Sequence, residues 1–558
     1  MKTIYAIKYH LFKVLAAISG IVLFNISGIA QTIELVKDIN PSGNSQISGM
    51  IDLNGLLIFS AYETVNGSEL WKSDGTDTGT VLIKDINPGI ANSNVMNMVY
   101  YNGKIYFSAD DGTNGREIWV TDGTANGTFM LRDINPTGNG TFSNAIVFNN
   151  LLFFNSDDGI HGKEWWTTDG TLNGTQIFVD SSIVDGNPEK PYINNNNLYF
   201  AYNNGVHGTE PWVTDGTPAG THMVLNINPS NLQGSFPDGF TAYNGMIFFF
   251  ADNGSAGSEL WVTNGTSVGT LLLKDIRPGA IGSNPRQLTP FNNLLFFVAN
   301  DGINGTELWA TNGTNAVTYM VKDINTAGNS DIIGFTVINN KLFFSAIDNS
   351  YGREPWLSDG SATGTAMLRD INPGGNSMPG YFSIPGIAQN LFDGKLFFVA
   401  DEGTNGYECW LTDGTLTGTQ LIEPVGASGV APLSNINQFE ISGNTMYFDA
   451  NYDGSGENLY RVLNGSSGFL DFNNGLWKAT IHPNPSCGNF KIELTSLKKS
   501  EATIEIINVP GEKVLEKTVS MQVGKNYFSF NENNIEAGIY FLRIYNNEYQ
   551  LTQKIIIQ

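Results

Sequence analysis

Eight tryptophans, Trp71, Trp119, Trp166, Trp212, Trp261, Trp309, Trp356 and Trp410, follow one another at intervals of 48, 47, 46, 49, 48, 47 and 54 residues. A period near 48 restricts the chain to an architecture that adds one supersecondary unit at a time, in the size range of propeller blades and some solenoids. One period resolves into four short strands. From Thr80 these are "TVLIKDI", then "MNMVYY" after an "NPG" turn, "KIYFSA" after an "NG" hairpin, and "REIWVT" after "DDGTNG", with "DGT" following. Side-chain period two puts Glu117, Trp119 and Thr121 on one face of the last strand and Ile118 and Val120 on the other, so both faces are largely apolar.

Four-stranded meanders that are apolar on both faces bury them by stacking around an axis. The expected fold is therefore all-β, a β-propeller of eight or nine four-stranded blades followed by a small C-terminal β-sandwich. Composition agrees: 63 Gly, 12% aromatic and only 15% charged residues suit short strands and tight turns. With the phase begun at the "KDIN" strand, nine units fit, the first from Thr32 and the last ending in the worn copy "ENLYRVLNG" at Gly465. An open β-solenoid is the alternative. Closure is preferred because the count comes out in whole blades.

At the N-terminus, Lys2, Lys8 and Lys13 precede the apolar run "VLAAISGIVLF" and a small-residue site ending at Ala30, which predicts a signal peptide over residues 1–30. No other segment is apolar for long enough to cross a membrane as a helix, so no integral membrane domain is expected. The formal charge is −24, and residues 31–477 carry −28 of it against +3 before them and +1 after them. Such acidity excludes a nucleic-acid partner, which needs a basic footprint. Cys409 and Cys487 fall in different expected domains, so no disulfide framework holds the fold.

Units such as "SELWKSDGTDTGT" and "SELWVTNGTSVGT" resemble the ELWxxDGT repeats of secreted bacterial proteins over residues 31–465. Departures are Trp165, Pro211, Pro355 and Cys409 at the leucine position, and "NAVT" after Thr314. The tail segments "IHPNPSCGNFKIEL", "ATIEIINVPGEKVLEKTV", "EAGIYFLRIYNN" and "TQKIIIQ" resemble the type A C-terminal sorting domain of type IX secretion over residues 478–558, with residues 466–477 as linker. That resemblance implies the type IX secretion machinery as a partner, and a mature chain released or fixed to the outer cell surface. The ELWxxDGT pattern itself implies no activity.

Candidate chemistry repeats with the blades. Glu69, Glu117, Glu164, Glu210, Glu259, Glu307, Glu354 and Glu408 recur once per unit, and repetition favours a carboxylate that accepts hydrogen bonds from a neighbouring turn. Asp110, Asp111 and Asn114 offer oxygen ligands of the kind calcium takes, but the twelve-residue loop with its terminal Glu is absent, so no cofactor is expected. His161 and His207 hold one position in successive units and replace the turn Asn. The pairs Lys37–Asp38, Lys84–Asp85, Arg132–Asp133, Lys274–Asp275, Lys322–Asp323 and Arg369–Asp370 either ring a central channel, if their strands lie nearest the axis, or cap the following turn. The second is the plainer reading.

Asn126 and Asn173 head glycosylation-like triplets that are by-products of turn chemistry. No nucleophile, zinc or phosphate-loop motif occurs, and nothing argues for an enzyme. The expected role is a non-catalytic binding platform for a protein or glycan ligand, with a carbohydrate-binding or carbohydrate-cleaving propeller as the alternative. The long insertion at residues 374–390, holding Tyr381 and Phe382, is the first place to look for a partner.

Overall fold

In the computed structural model, the described residues are 32–179, 185–230, 232–380, 391–404, 406–422, 436, 438–452, 454–463, 477–482, 489–496, 499–508, 513–522, 524–531, 535, 538–545 and 550–557. The expected signal peptide, Tyr381, Phe382, Cys487 and most of the expected linker fall outside them. The chain divides into two units, Thr32–Asn464 and the remainder.

Nine four-stranded antiparallel sheets form the first unit. Blades 1 to 8 span residues 48–84, 96–132, 143–179, 189–223, 238–274, 286–322, 333–367 and 391–421. Blade 9 combines residues 439–463 with the strand Thr32–Lys37. From blade 9 through blades 1 to 7, the first strands of neighbouring sheets lie against one another. They are therefore the innermost strands of a β-propeller, and the fourth strands form its outer edge.

This placement corrects the expected phase. The "KDIN" strand does not begin a blade; Trp71 pairs with Leu82, and Trp119 with Met130, so it is the outermost strand of the preceding sheet. "DGTANGT" is accordingly a hairpin loop within one blade, not the step to the next. Sequence periodicity could not separate the two phases, because every strand is flanked by turn residues and both faces are apolar. The N-terminal strand also does not start the first blade. Thr32–Lys37 pairs with Asn458–Leu463 as the fourth strand of blade 9, with Ile33 opposite Val462, and so fastens the two ends of the ring together.

Packing between blades follows from alternation along the third strand. Trp119 lies on the face turned to the previous blade, among Ile58, Leu70 and Ile83, while Ile118 and Val120 on the opposite face pack toward Phe154 and Trp166 of the next blade. Seven of the eight tryptophans are only 5–7% exposed; Trp212 is partly buried. At roughly 200 Å² apiece, each fully buried indole contributes at most about 5 kcal/mol. In blade 9 Tyr460 takes the tryptophan position opposite Phe448, and packs with Val399, Cys409 and Leu411 of blade 8.

In the second unit, two antiparallel sheets of three and four strands share one core, in which Phe490, Ile492 and Leu494 of one sheet meet Ile504, Ile506, Leu542 and Ile544 of the other. Alternate residues of each strand point inward, as a small β-sandwich requires.

Candidate functional site

Six of the recurring glutamates, Glu69, Glu117, Glu210, Glu259, Glu307 and Glu354, are buried anchors for the loops that lead from one blade to the next. Glu117 is fully buried; its Oε2 accepts from the backbone N–H of Ile134 at 2.7 Å, and its Oε1 from that of Gly140 at 2.7 Å. Glu69 holds Ile86 and Ser93 in the same way, and Glu210 adds the Ser235 hydroxyl at 2.6 Å. Burial pushes the carboxyls of Glu69, Glu117 and Glu307 up to about 7, against the pull of these N–H donors. Glu210, Glu259 and Glu354 are raised for the same reason. In blade 9 Asn458 fills the station, hydrogen-bonded to the Ser45 hydroxyl at 2.8 Å.

The "DGT" loops close on themselves. Asp122 Oδ1 accepts from the Thr124 N–H at 2.9 Å and hydroxyl at 2.7 Å, and Thr124 Oγ1 accepts from the Gly127 N–H at 3.0 Å. A Cβ on Gly127 would stand 2.0 Å from Asp122 Oδ1, which explains the second glycine of "DGTxxGT". Where Val317 replaces that glycine, residues Asn315–Val317 form a 3-10 turn and the Thr314 N–H bond to Asn312 is kept.

Loop oxygens at Asp110, Asp111 and Asn114 are committed locally. Asp110 Oδ1 accepts from Gly112 N–H; Asp111 Oδ1 accepts from the N–H groups of Thr113 and Asn114, and its Oδ2 from the Asn114 amide. His161 stands in the place of Asn114, with Nδ1 2.7 Å from Asp158 Oδ2, and His207 lies 3.2 Å from the Asn204 amide. Among the described residues no group of three His, Cys, Asp or Glu side chains is arranged around a common point.

The Lys–Asp and Arg–Asp pairs lie at or just past the ends of fourth strands, at the outer edge, so the reading that rings a central channel with them is corrected. The base reaches across to the next blade: Lys84 Nζ donates to the Thr128 carbonyl at 2.6 Å and sits 5.8 Å from the Trp119 ring centre. Arg132, Lys322 and Arg369 make the same pair of contacts to Thr175 and Trp166, Thr365 and Trp356, and Thr419 and Trp410. The acid caps its turn where Asp85 accepts from the Gly89 N–H at 3.2 Å.

One set of positions that the copies do not share lies at the starts of the innermost strands. In blades 1 to 7 the second residue of that strand, Gly49, Asn97, Asn144, Lys190, Gly239, Gln287 or Gly334, has a φ between 50° and 76°, and the register with the second strand slips there. Each is a β-bulge that needs a left-handed residue, which only Gly and Asn adopt readily. Three of the side chains bridge to the following blade: Asn97 to the Phe142 carbonyl at 2.7 Å, Asn144 to Pro188 at 3.2 Å, and Gln287 to Ile332 at 2.7 Å.

Just before each of these strands stands a second left-handed position, Gln46, Asn94, Thr141, Asn187, Phe236, Asn284 and Asp331, with φ between 38° and 63°. For Thr141 and Phe236 that backbone costs about 1–2 kcal/mol each. Together with the first residue of each innermost strand these positions make the axial mouth. Blades 1 to 3 place Ser48, Met96 and Ser143 there, uncharged. Blades 4 to 7 place Glu189, Lys190, Asp238, Arg286 and Asp331 there, in alternating sign. Lys190 Nζ lies 3.1 Å from Asp238 Oδ2, and the buried Arg353 donates to the Asp331 carbonyl at 2.8 Å. Sequence reasoning missed this sector. Its signal is a repeat position that holds Gly or Asn in five of seven blades, Gln in one and Lys in one.

Residues 480–558 match the model of the secretion system C-terminal sorting domain. That domain marks the chain for secretion to the outer surface or release and makes the secretion machinery its partner. Among the described residues, no helix is long and apolar enough to cross a membrane. No curated protein matches the chain. Among solved structures, it is similar to the computationally designed Ika8 protein at 12% identity and a TM-score of 0.36, over 76% of this chain and 99% of that one. It is also similar to a prolyl endopeptidase at 8% identity and 0.36, over 69% and 55%, and to a puromycin hydrolase at 10% and 0.34, over 75% and 60%. The chain spans little more than half the length of these two enzymes. The family established by these matches is that of the C-terminal segment alone: residues 480–558 are a secretion system sorting domain.

Proposed function

We propose that the exported propeller is a non-catalytic binding platform whose ligand surface is the axial mouth. One observation carries the reading: the glutamates that recur from blade to blade accept backbone N–H bonds in the interior of six blades, while charged side chains that do not recur stand at the mouth of blades 4 to 7. A scaffold repeated nine times supplies rigidity, and four adjacent blades supply the difference.

A carbohydrate ligand stays within this reading, but the tryptophans are not its stacking platforms, because seven are buried between blades. A carbohydrate-cleaving propeller needs two carboxylates about 5–9 Å apart in a cleft. The resemblance of the blades to ELWxxDGT repeats fits a secreted scaffold and adds no chemistry. The test is a glycan array and a hydrolysis screen on the full chain, run with Lys190→Ala and Asp238→Ala. Binding that weakens in the variants, without turnover, is expected. Hydrolysis abolished by either variant would replace the platform with an enzyme.

A further inference from the structure

Among the described residues at the axial mouth of blades 1 to 7, three of the five charged side chains are already engaged by neighbours. Lys190 and Asp238 pair with each other, Asp238 also accepts from the Gly239 N–H, and Glu189 accepts from the Asn187 amide at 2.6 Å. Arg286 is different. It opens the innermost strand of blade 6 opposite Val298, is only partly exposed, and meets no hydrogen-bond acceptor or ion-pair partner among the described residues. Burial pulls its guanidinium below the usual range, and the charge that acts on it is Asp331, across the gap to blade 7. Its planar fork of donors is thus unspent within the described residues and open to an anion, which it holds through charge-assisted bonds.

We infer that Arg286 anchors a site for a single carboxylate, carried by a small ligand that enters the axial mouth between blades 6 and 7. The planar fork suits a carboxylate, which it grips through two parallel bonds. Neighbouring charge limits the ligand to one negative group. Glu189, Asp238 and Asp331 share the mouth, and residues 31–477 carry −28, so a phosphate or polyanion meets more repulsion than one arginine offsets. The ligand is thus a monocarboxylate with an uncharged body. The inference rests on the platform reading and narrows it.

Two sources carry such a group, a sugar acid and a peptide C-terminus, and calorimetric titration of the full chain separates them. Glucuronate and N-acetylalanine are the probes; glucose and N-acetylalanine amide are their neutral counterparts. At least one carboxylate should bind at least tenfold more tightly than its neutral counterpart. Arg286→Gln should lose at least tenfold of that affinity, and Arg286→Lys, which keeps the charge but not the fork, at least threefold. Thermal melts should show both variants folded, and if the Gln variant does not fold, the Lys comparison decides. Carboxylates that bind no better than their neutral counterparts, or affinity unchanged in the variants, overturn the site. An array ligand held equally by wild type and Arg286→Gln sinks the carboxylate site yet keeps the platform, whereas turnover sinks the platform itself.

Discussion

Replacing Glu117 by Gln tests whether the interior carboxylates behave as the geometry requires. The side chain keeps its size, but one oxygen becomes an NH₂ group that must face a backbone N–H, of Ile134 on one side or of Gly140 on the other. At pH 8, where the carboxyl is ionised, loss of one or two bonds to this buried acceptor costs about 2–4 kcal/mol. The diagnostic feature is pH. Folding raises the Glu117 carboxyl from 4.5 to about 7. The stability it contributes is therefore fully present below 4.5 and is lost as pH rises through 7. Between pH 5 and pH 8 the wild type gives up about 2.5 kcal/mol at this station, whereas the Gln variant has no proton to lose. The penalty of the substitution should accordingly shrink by about 2.5 kcal/mol across that interval. For a unit of this length the unfolding entropy is roughly 0.9 kcal/mol/K, so the gap between the two melting temperatures narrows by about 3 °C. Amide exchange at Ile134, Asn135 and Gly140, whose N–H groups face the carboxylate, gives a local readout on the same samples. A gap that stays constant from pH 5 to pH 8 would refute the reasoning: the three donors would then have held the carboxylate ionised throughout.

Trp119→Ala should cost about 3–5 kcal/mol by calorimetry, and Trp212→Ala visibly less, because its indole is already partly exposed. Changing Ile33, fully buried in the closing strand, to Asp should open the ring and expose an unpaired edge, seen as a collapsed melting temperature and as higher-order species in size-exclusion chromatography. Lys84→Met removes the bond to the Thr128 carbonyl but keeps the hydrocarbon stem over Trp119, and urea unfolding should show a loss of about 1 kcal/mol. Val317→Gly should convert the 3-10 turn at residues 315–317 to the loop form of the other blades with little change in stability, which a crystal structure of the variant would show.

The number of strands per period, their hairpins and the stacking of apolar faces were legible in the sequence, because alternation and turn residues are local signals. Which strand is innermost was not. The "KDIN" strand is short, apolar on both sides and bounded by turns at each end, so it reads equally well as first or fourth; only its ladder with the tryptophan strand decides. The repeated Glu was legible as an acceptor because an eightfold group has a scaffold's frequency. Asn97, Asn144 and Lys190 were not, since a bulge is a property of register between two strands and their side chains look like ordinary surface polar groups. Arg286 stood out even less, because that no acceptor among the described residues meets it is a fact of three-dimensional placement.

Closure by Thr32–Lys37 also sets an order of events. Ile33 opposite Val462 joins positions 429 residues apart, a loop whose closure costs about 5 kcal/mol of chain entropy if nothing between them has folded. Each blade that forms shortens the remaining gap, so the circle is shut most cheaply last, after the polypeptide is synthesised past Leu463. Until then both rims of the opening are unsatisfied strands. A chain caught part-way, at a membrane or by a protease, is consequently an arc with two adhesive ends.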